Sequence, residues 1–348
     1  MKNLLVKCDI TIRQAMKVLD KTAEKCLIVV GDNNKLKGTL TDGDIRRSIL
    51  KGAQFSENIS HWFQSKPSFL IYGLYNKNDL KKLILENKHN LIPIIDKNSC
   101  VIDYETSSSL SQPFIEKPIN EEIPVVIMAG GKGTRMEPFT KVLPKPLVPV
   151  HEKPIIEHII ESFLKAGCND FFISVNYKSK ILKAYFEEVN PSYNIDFVDE
   201  VEPLGTAGSL KFLDKTIKNS FFVTNCDIIV KANYQSLYNF HKEGGYDVTL
   251  VASAKEYIIP YGACKLNKNG HLSHIDEKPK YEFLINTGLY VLNPDVLKLI
   301  PKNSFYHITQ LISDAKKVGR KIGVFPIDDD SWVDIGQWTE YQKAVDSL

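Results

Sequence analysis

The chain has 348 residues, 43 % of them hydrophobic, with 44 Lys and Arg against 42 Asp and Glu and a formal net charge of +2. That length suits two or three domains, and the apolar content excludes general disorder. So even a charge balance gives no support to a broad nucleic-acid-binding surface. Cys8, Cys26, Cys100, Cys168, Cys226 and Cys264 form no C-x-x-C pair and read as reduced cytosolic thiols. The first residues hold no apolar signal-peptide core, and no apolar run approaches about 18 residues. The expectation is a cytoplasmic protein with no membrane partner.

Residues 12–21 have helical spacing. An apolar strand at 27–30, a Gly31-Asp32-Asn33-Asn34 turn, a strand around 36–40 and a helix from Asp44 follow. Residues 78–104 repeat that order: a helix over 79–86, a strand at 91–95, the turn Asp96-Lys97-Asn98 and a strand at 101–104. Asp and Asn supply the turn chemistry that joins short strands. Equivalent strands lie about 64 residues apart, too long for a solenoid period and suited to two related modules packed as a pair. Residues 106–123, rich in Ser, with Pro113, Pro118 and mixed charge, read as a surface linker. The expected division is a paired module over 1–110, a linker over 111–122 and a larger domain over 123–348. In the larger domain the apolar runs 125–128, 171–175 and 221–224 alternate with helical patterns at 155–165 and 178–189. This predicts a doubly wound, Rossmann-like α/β fold with a mainly parallel sheet, which binds ligands at the carboxyl ends of its strands.

The sharpest chemical feature is Met128-Ala129-Gly130-Gly131-Lys132-Gly133-Thr134-Arg135, which begins where a strand ends. Its glycines let backbone N–H groups approach an anion, and Lys132 and Arg135 add positive charge suited to phosphate. The spacing matches neither the dinucleotide fingerprint nor the Walker loop. Downstream, Pro144-Lys145-Pro146-Leu147 brackets a lysine with two prolines that stiffen it. The pattern G-G-x-G-T-R with Pro138, Thr140 and P-K-P-L resembles the signature of the sugar-1-phosphate nucleotidyltransferases. Further segments match that family in order: Glu202-Pro203-Leu204-Gly205-Thr206-Ala207-Gly208, Asn225-Cys226-Asp227, Glu277-Lys278-Pro279, Asn286-Thr287-Gly288-Leu289-Tyr290 and Trp332-Val333-Asp334-Ile335-Gly336. The resemblance covers residues 124–348.

It implies these roles. Ala129, Gly130, Gly131, Lys132, Gly133 and Thr134, with Gly205 and Thr206, hold the nucleoside triphosphate. Arg135 grips the leaving pyrophosphate and Lys145 neutralises the reacting phosphates. Asp227 and Asp334 hold Mg²⁺, which typically takes one or two carboxylates plus phosphate oxygens. Lys278 holds the sugar phosphate, Glu277 accepts from sugar hydroxyls, and Gly262, Asn286 and Gly288 line the sugar pocket. Nucleotidyl transfer needs an aligned nucleophile and neutralised charge rather than covalent chemistry from the protein. The sugar phosphate therefore attacks directly, with no side-chain nucleophile. The run Asp328-Asp329-Asp330 reads as a solvated loop rather than a metal site.

Five residues before Gly205, at the family's base-reading position, stands Glu200. A carboxylate only accepts hydrogen bonds, and guanine presents two adjacent donors, so Glu200 favours GTP. The surrounding run looks like the mannose-1-phosphate guanylyltransferase branch. The N-terminal pair resembles tandem CBS domains through Gly38-Thr39-Leu40-Thr41-Asp42-Gly43-Asp44. The resemblance implies one adenine-nucleotide site at Thr41 and Asp44; the second copy lacks the matching acid. A CBS pair serving mainly as a packing and dimerising unit is the other reading, and a homo-oligomer, dimer or tetramer, is expected. CBS fused ahead of this transferase resembles the glucosamine-1-phosphate guanylyltransferases of bacterial legionaminic acid biosynthesis. Glucosamine 1-phosphate is accordingly the favoured acceptor. The alternatives are a mannose-1-phosphate guanylyltransferase, a glucose-1-phosphate thymidylyl- or uridylyltransferase, and a CBS-linked regulatory pseudo-transferase. A metal-dependent glycosyltransferase would be expected to carry Asp-x-Asp where this chain has Asn225-Cys226-Asp227.

Overall fold

The computed structural model describes residues 4–22, 24–75, 83, 91–106, 122–336, 338 and 340–342. The first helix forms over Ile12–Thr22 and buries Ile12, Ala15, Met16 and Leu19. Those positions recur at three- and four-residue steps, which puts them on one face. The strand Cys26–Val30 beside it is buried at all five residues. It pairs parallel with Leu5–Lys7 and antiparallel with Leu36–Thr41. The second copy is built the same way: Leu91–Ile95 pairs parallel with Leu70–Ile71 and antiparallel with Val101–Thr106. Each copy shifts register at the end of its middle strand, between Val29 and Val30 and between Ile94 and Ile95. The weak sequence repeat is thus a repeat of topology, bulge included. The expected helix over 79–86 and the stretch 111–121 fall outside the described residues, Leu83 apart.

The larger domain carries a seven-stranded sheet in the order Asn194–Asp199, Asp170–Val175, Val125–Met128, Phe221–Asn225, Lys280–Leu292, Val248–Ile258, Ile322–Asp328. The first four strands are parallel to one another, and Phe221–Asn225 runs antiparallel to Lys280–Leu292. Alternate residues of one strand feed two different cores. Val125, Ile127 and Phe222 join one cluster with Ile155, Ile159 and Phe163 of the helix Ile155–Lys165. Val126, Phe221 and Val223 join another with Leu210, Leu297 and Leu311. Both faces are covered, so the strands read as continuous apolar runs. The expected doubly wound, mainly parallel sheet forms, with antiparallel pairing where Lys280–Leu292 enters.

Contacts group the chain into two compact units: Met1–Lys117 with Ala254–Leu284, and Pro118–Ser253 with Ile285–Leu348. The segment 254–284 contains a hairpin in which Ala263–Leu266 pairs antiparallel with Leu272–Asp276. Within the first unit, Arg13 Nη1 donates to Ala254 O at 2.9 Å. Its Nη2 lies 3.5 Å from Glu282 Oε1, and Phe55 N–H donates to Glu282 Oε2 at 2.8 Å. Ala254 is buried in the N-terminal apolar cluster. All six cysteines are free. Among the described residues no helix is long and apolar enough to cross a membrane.

Candidate active site

The strand Val125–Met128 ends in the glycine turn. Ala129 N–H donates to Ser174 O at 2.9 Å, which ties the start of the turn to the neighbouring strand. Gly133 has φ +69°, and a Cβ there would lie 2.9 Å from Thr140 Cγ2 and 3.0 Å from Lys145 Cβ. Both the left-handed backbone and the close approach require glycine. Thr140 Oγ1 donates to Gly133 O at 2.9 Å. The distant parts of the signature, Thr140 and the Pro-Lys-Pro segment, are therefore packed against the turn and fix its shape. Gly131 and Lys132 remain exposed, and nothing lies within 4 Å of where a Gly131 Cβ would be.

Lys145 is 6 % exposed. Its Nζ donates to Asp227 Oδ2 at 2.5 Å in a largely buried ion pair. Asp227 lies between Phe221–Asn225 and Ile228–Val230. The latter pairs antiparallel with Trp332–Asp334, setting Ile228 opposite Asp334. Ile335 N–H donates to Asp227 O at 2.8 Å and closes the pairing. These backbone bonds bring together two acids far apart in sequence. At their junction, Gly336 N–H donates to Asp334 Oδ1 at 2.7 Å. A Cβ on Gly336 would sit 2.8 Å from Asp334 Oδ1, 2.9 Å from Asp227 Oδ2 and 3.5 Å from Arg135 Nη2. Two carboxylates and a guanidinium thus converge on a space that glycine alone leaves open. Gly336 is a determinant of the site that the motif held without a role. Burial, then the Asp227 charge, pushes the Cys226 thiol up to about 12. It stays protonated and is not a competing nucleophile.

The second loop is pinned from behind. Gly205 has φ +77°, and a Cβ there would meet Tyr306 O at 2.8 Å. Ile308 N–H donates to Thr206 Oγ1 at 3.0 Å, so that hydroxyl serves the start of the helix Ile308–Lys317. Glu200 is 7 % exposed. It takes the Leu204 N–H on Oε2 at 2.9 Å and the Ser174 hydroxyl on Oε1. Gly288, with φ +91°, lies against Asn225, whose Nδ2 would be 2.5 Å from an added Cβ. Asn286 donates to Tyr290 OH at 2.8 Å and accepts from Gly288 N–H. Asn225, Asn286 and Gly288 therefore form one neighbourhood where Phe221–Asn225 ends beside the middle of Lys280–Leu292. The acidic run departs from the expected solvated loop at its first residue alone, Asp330 being exposed and Asp329 half-buried. Asp328 is 2 % exposed, and its carboxylate accepts from Asp330 N–H as the cap of the turn Asp329–Ser331.

In the first unit, Gly262 lies beside Glu277, whose Oε2 would be 3.1 Å from an added Cβ. Glu277 and Lys278 are exposed, and Lys278 has φ 47°. Thr41 caps the helix Asp42–Leu50: its Oγ1 accepts from Asp44 N–H and donates to Asp44 Oδ2 at 2.6 Å. Asp44 Oδ1 also pairs with Arg47 at 2.6 Å. Both residues border a cleft of about 630 Å³ that also exposes Lys51, His61, Trp62 and Lys66.

Residues 124–348 match the nucleotidyl transferase family over most of the chain. The chain belongs to that family. Residues 2–51 match the CBS domain. Among curated nucleotidyl transferases, the mannose-1-phosphate guanyltransferase of Hypocrea jecorina is 38 % identical over 231 residues, covering 63 % of this chain and 62 % of the relative. The enzyme of that name from Aspergillus fumigatus is 42 % identical over 186 residues, 50 % of each chain. The chain thus spans about half to three fifths of the length of these relatives. Among solved structures, HddC from Yersinia pseudotuberculosis superposes with a TM-score of 0.52 at 26 % identity, covering 64 % of this chain and 98 % of HddC. A second HddC structure, complexed with GMP-PN, superposes equally well at 25 % identity. The nucleotidyl transferase fold expected from the glycine loop and its companion motifs is borne out.

Proposed function

We propose that this nucleotidyl transferase makes a nucleoside-diphosphate sugar and pyrophosphate from a nucleoside triphosphate, GTP by preference, and a sugar 1-phosphate. The observation that carries the reading is the convergence of Asp227, Asp334 and Arg135 on the open space at Gly336, with Lys145 already paired to Asp227. In the reaction a phosphate oxygen of the sugar 1-phosphate bonds to the α-phosphorus while the bond from that phosphorus to pyrophosphate breaks. Backbone N–H groups of 130–134 hold the phosphates, Arg135 takes up charge on the departing pyrophosphate, and Lys145 offsets charge at the reacting centre. Two hard carboxylate oxygens, one each from Asp227 and Asp334, suit Mg²⁺. When bound, Mg²⁺ would supply neutralisation of phosphate charge. Glu200 supports guanine as the base, as do the guanyltransferase names of the relatives and the GMP-PN complex of HddC.

Glucosamine 1-phosphate is our favoured acceptor, with Lys278 on its phosphate and the exposed Glu277 carboxylate available to an ammonium group. The product would be GDP-glucosamine, made in the cytoplasm for legionaminic-type surface sugars. Mannose 1-phosphate is the second reading, on the names of the curated relatives. The cationic, Trp-bearing cleft at Thr41 and Asp44 suits an adenine nucleotide as regulator, and a homo-oligomer is the assembly we favour. The test is pyrophosphate release from a matrix of sugar 1-phosphates against GTP, UTP, dTTP, CTP and ATP, repeated with AMP. Release with GTP and an aminohexose 1-phosphate is expected. A UTP or dTTP preference refutes the base assignment, and no release from any pair refutes the enzyme reading.

A further inference from the structure

Glu200 is buried at the head of the second loop, and its surroundings specify more than its identity. Its backbone is held on both sides: Glu200 N–H donates to Val175 O at 2.9 Å, and Asn176 Nδ2 donates to Glu200 O at 2.7 Å. Its side chain takes one protein donor on each oxygen, Leu204 N–H on Oε2 and the Ser174 hydroxyl on Oε1. Ser174 and Ser209 are each 1 % exposed, and their hydroxyl oxygens lie 2.8 Å apart. A hydroxyl has one hydrogen and a carboxylate donates none. Ser174 therefore gives its hydrogen to Glu200 and must receive one from Ser209. The order of donation is Ser209 to Ser174 to Glu200. On the first-loop side, a Cβ on Gly130 would lie 3.0 Å from Glu200 Oε1, so the carboxylate abuts the phosphate loop.

We infer that Ser174, backed by Ser209, is a specificity-determining residue that orients the Glu200 carboxylate to read guanine; this rests on the guanine assignment above. A carboxylate has about four acceptor positions. One on each oxygen is taken, in directions set by strand and loop. One on each oxygen is left, a number that matches the adjacent N1–H and 2-amino donors of guanine. Without the Ser174 bond the carboxylate is free to rotate, and the two remaining positions no longer face the base together. Ser174 does not touch substrate; it acts through Glu200.

The test compares kcat/KM for GTP with that for ITP, which lacks the 2-amino group, in the wild type and in Ser174→Ala, Ser174→Thr and Ser209→Ala. The wild type is expected to prefer GTP by roughly tenfold or more, because a site built for a donor rejects the analogue lacking it. Ser174→Ala should lose most of that preference through a higher KM for GTP, with kcat at saturation little changed. Ser174→Thr, which restores the hydroxyl, should recover it. Ser209→Ala should give a smaller loss in the same direction and serves if Ser174→Ala does not fold. A folded Ser174→Ala that keeps the wild-type ratio overturns the inference. So does an equal rise in KM for GTP and ITP, which would leave the network the single task of holding the loop. A wild type indifferent between GTP and ITP overturns the guanine assignment itself, and the orienting role with it.

Discussion

Lys145 is buried and bound to Asp227, whereas Lys278, another lysine expected to meet phosphate, is exposed on backbone with φ 47°. The two belong to regions built differently. Around Lys145 every polar partner is tied by a backbone bond or a packed glycine, from Gly133 through Asp227 to Gly336. Gly262, Glu277 and Lys278 are instead exposed along the segment 254–284, an arm held near its end by the Glu282 carboxylate, which accepts from Phe55 N–H. The difference teaches where free energy is spent. The first region is organised before substrate arrives, so damage there should appear in kcat. The second offers exposed side chains with no buried ion pair of their own, so damage there should appear in KM.

The largest effect should come from Asp227→Ala. It removes a carboxylate from the convergence and leaves Lys145 buried without its partner. A fall in kcat of roughly 10³-fold is expected in a pyrophosphate-release assay, and near-normal turnover would break the comparison. Next, Gly336→Ala sets a methyl within 3 Å of both carboxylates. A loss of about 10²-fold in kcat is expected from the displaced groups, with nucleotide KM nearly unchanged. Lys278→Ala should raise KM for the sugar 1-phosphate by about tenfold while sparing kcat, the loss of one charge-assisted hydrogen bond. A kcat defect there instead would mean that the arm is as fixed as the glycine turn. The smallest effect lies away from substrate. Burial lowers His241 to about 4, and its Nδ1 faces Thr249 Oγ1 at 2.9 Å. Its folded state holds the neutral ring, so its contribution to stability is present above about pH 6.5 and is lost as pH falls toward 4. Thermal melts across that window should show a decline that His241→Gln flattens.

The glycine turn was legible because its requirements are local. Positive φ at Gly133 and contact with Thr140 and Lys145 leave a fixed spacing in the chain. The pairing of Lys145 with Asp227 was not, since strand order rather than spacing brings them together. Gly336 stood within a recognised motif, but its reason is a gap between side chains from two other segments. Ser174 left a faint signal, a single hydroxyl in the apolar run of Phe171, Phe172, Ile173 and Val175. A polar group in a buried strand needs a partner, and its partner proved to be Glu200. Asp328 misled for the converse reason: three like charges suggest solvent, yet the first caps a turn from inside the fold. The doubly wound sheet followed from its apolar runs, while the grouping of 254–284 with the N-terminal unit has no sequence mark.

That grouping bears on how the protein comes apart. The chain leaves the first unit at Lys117 and comes back to it at Ala254. Cutting the peptide bonds between residues 111 and 121 would sever the covalent link and still leave the N-terminal fragment clasped to the arm by Arg13, Phe55 and the burial of Ala254. The two pieces should travel together through a sizing column and separate only in denaturant. A gene truncated to start after the linker would meanwhile leave Glu282 without its cation and Ala254 without its cover. The N-terminal third is therefore less a removable accessory than the second half of a joint.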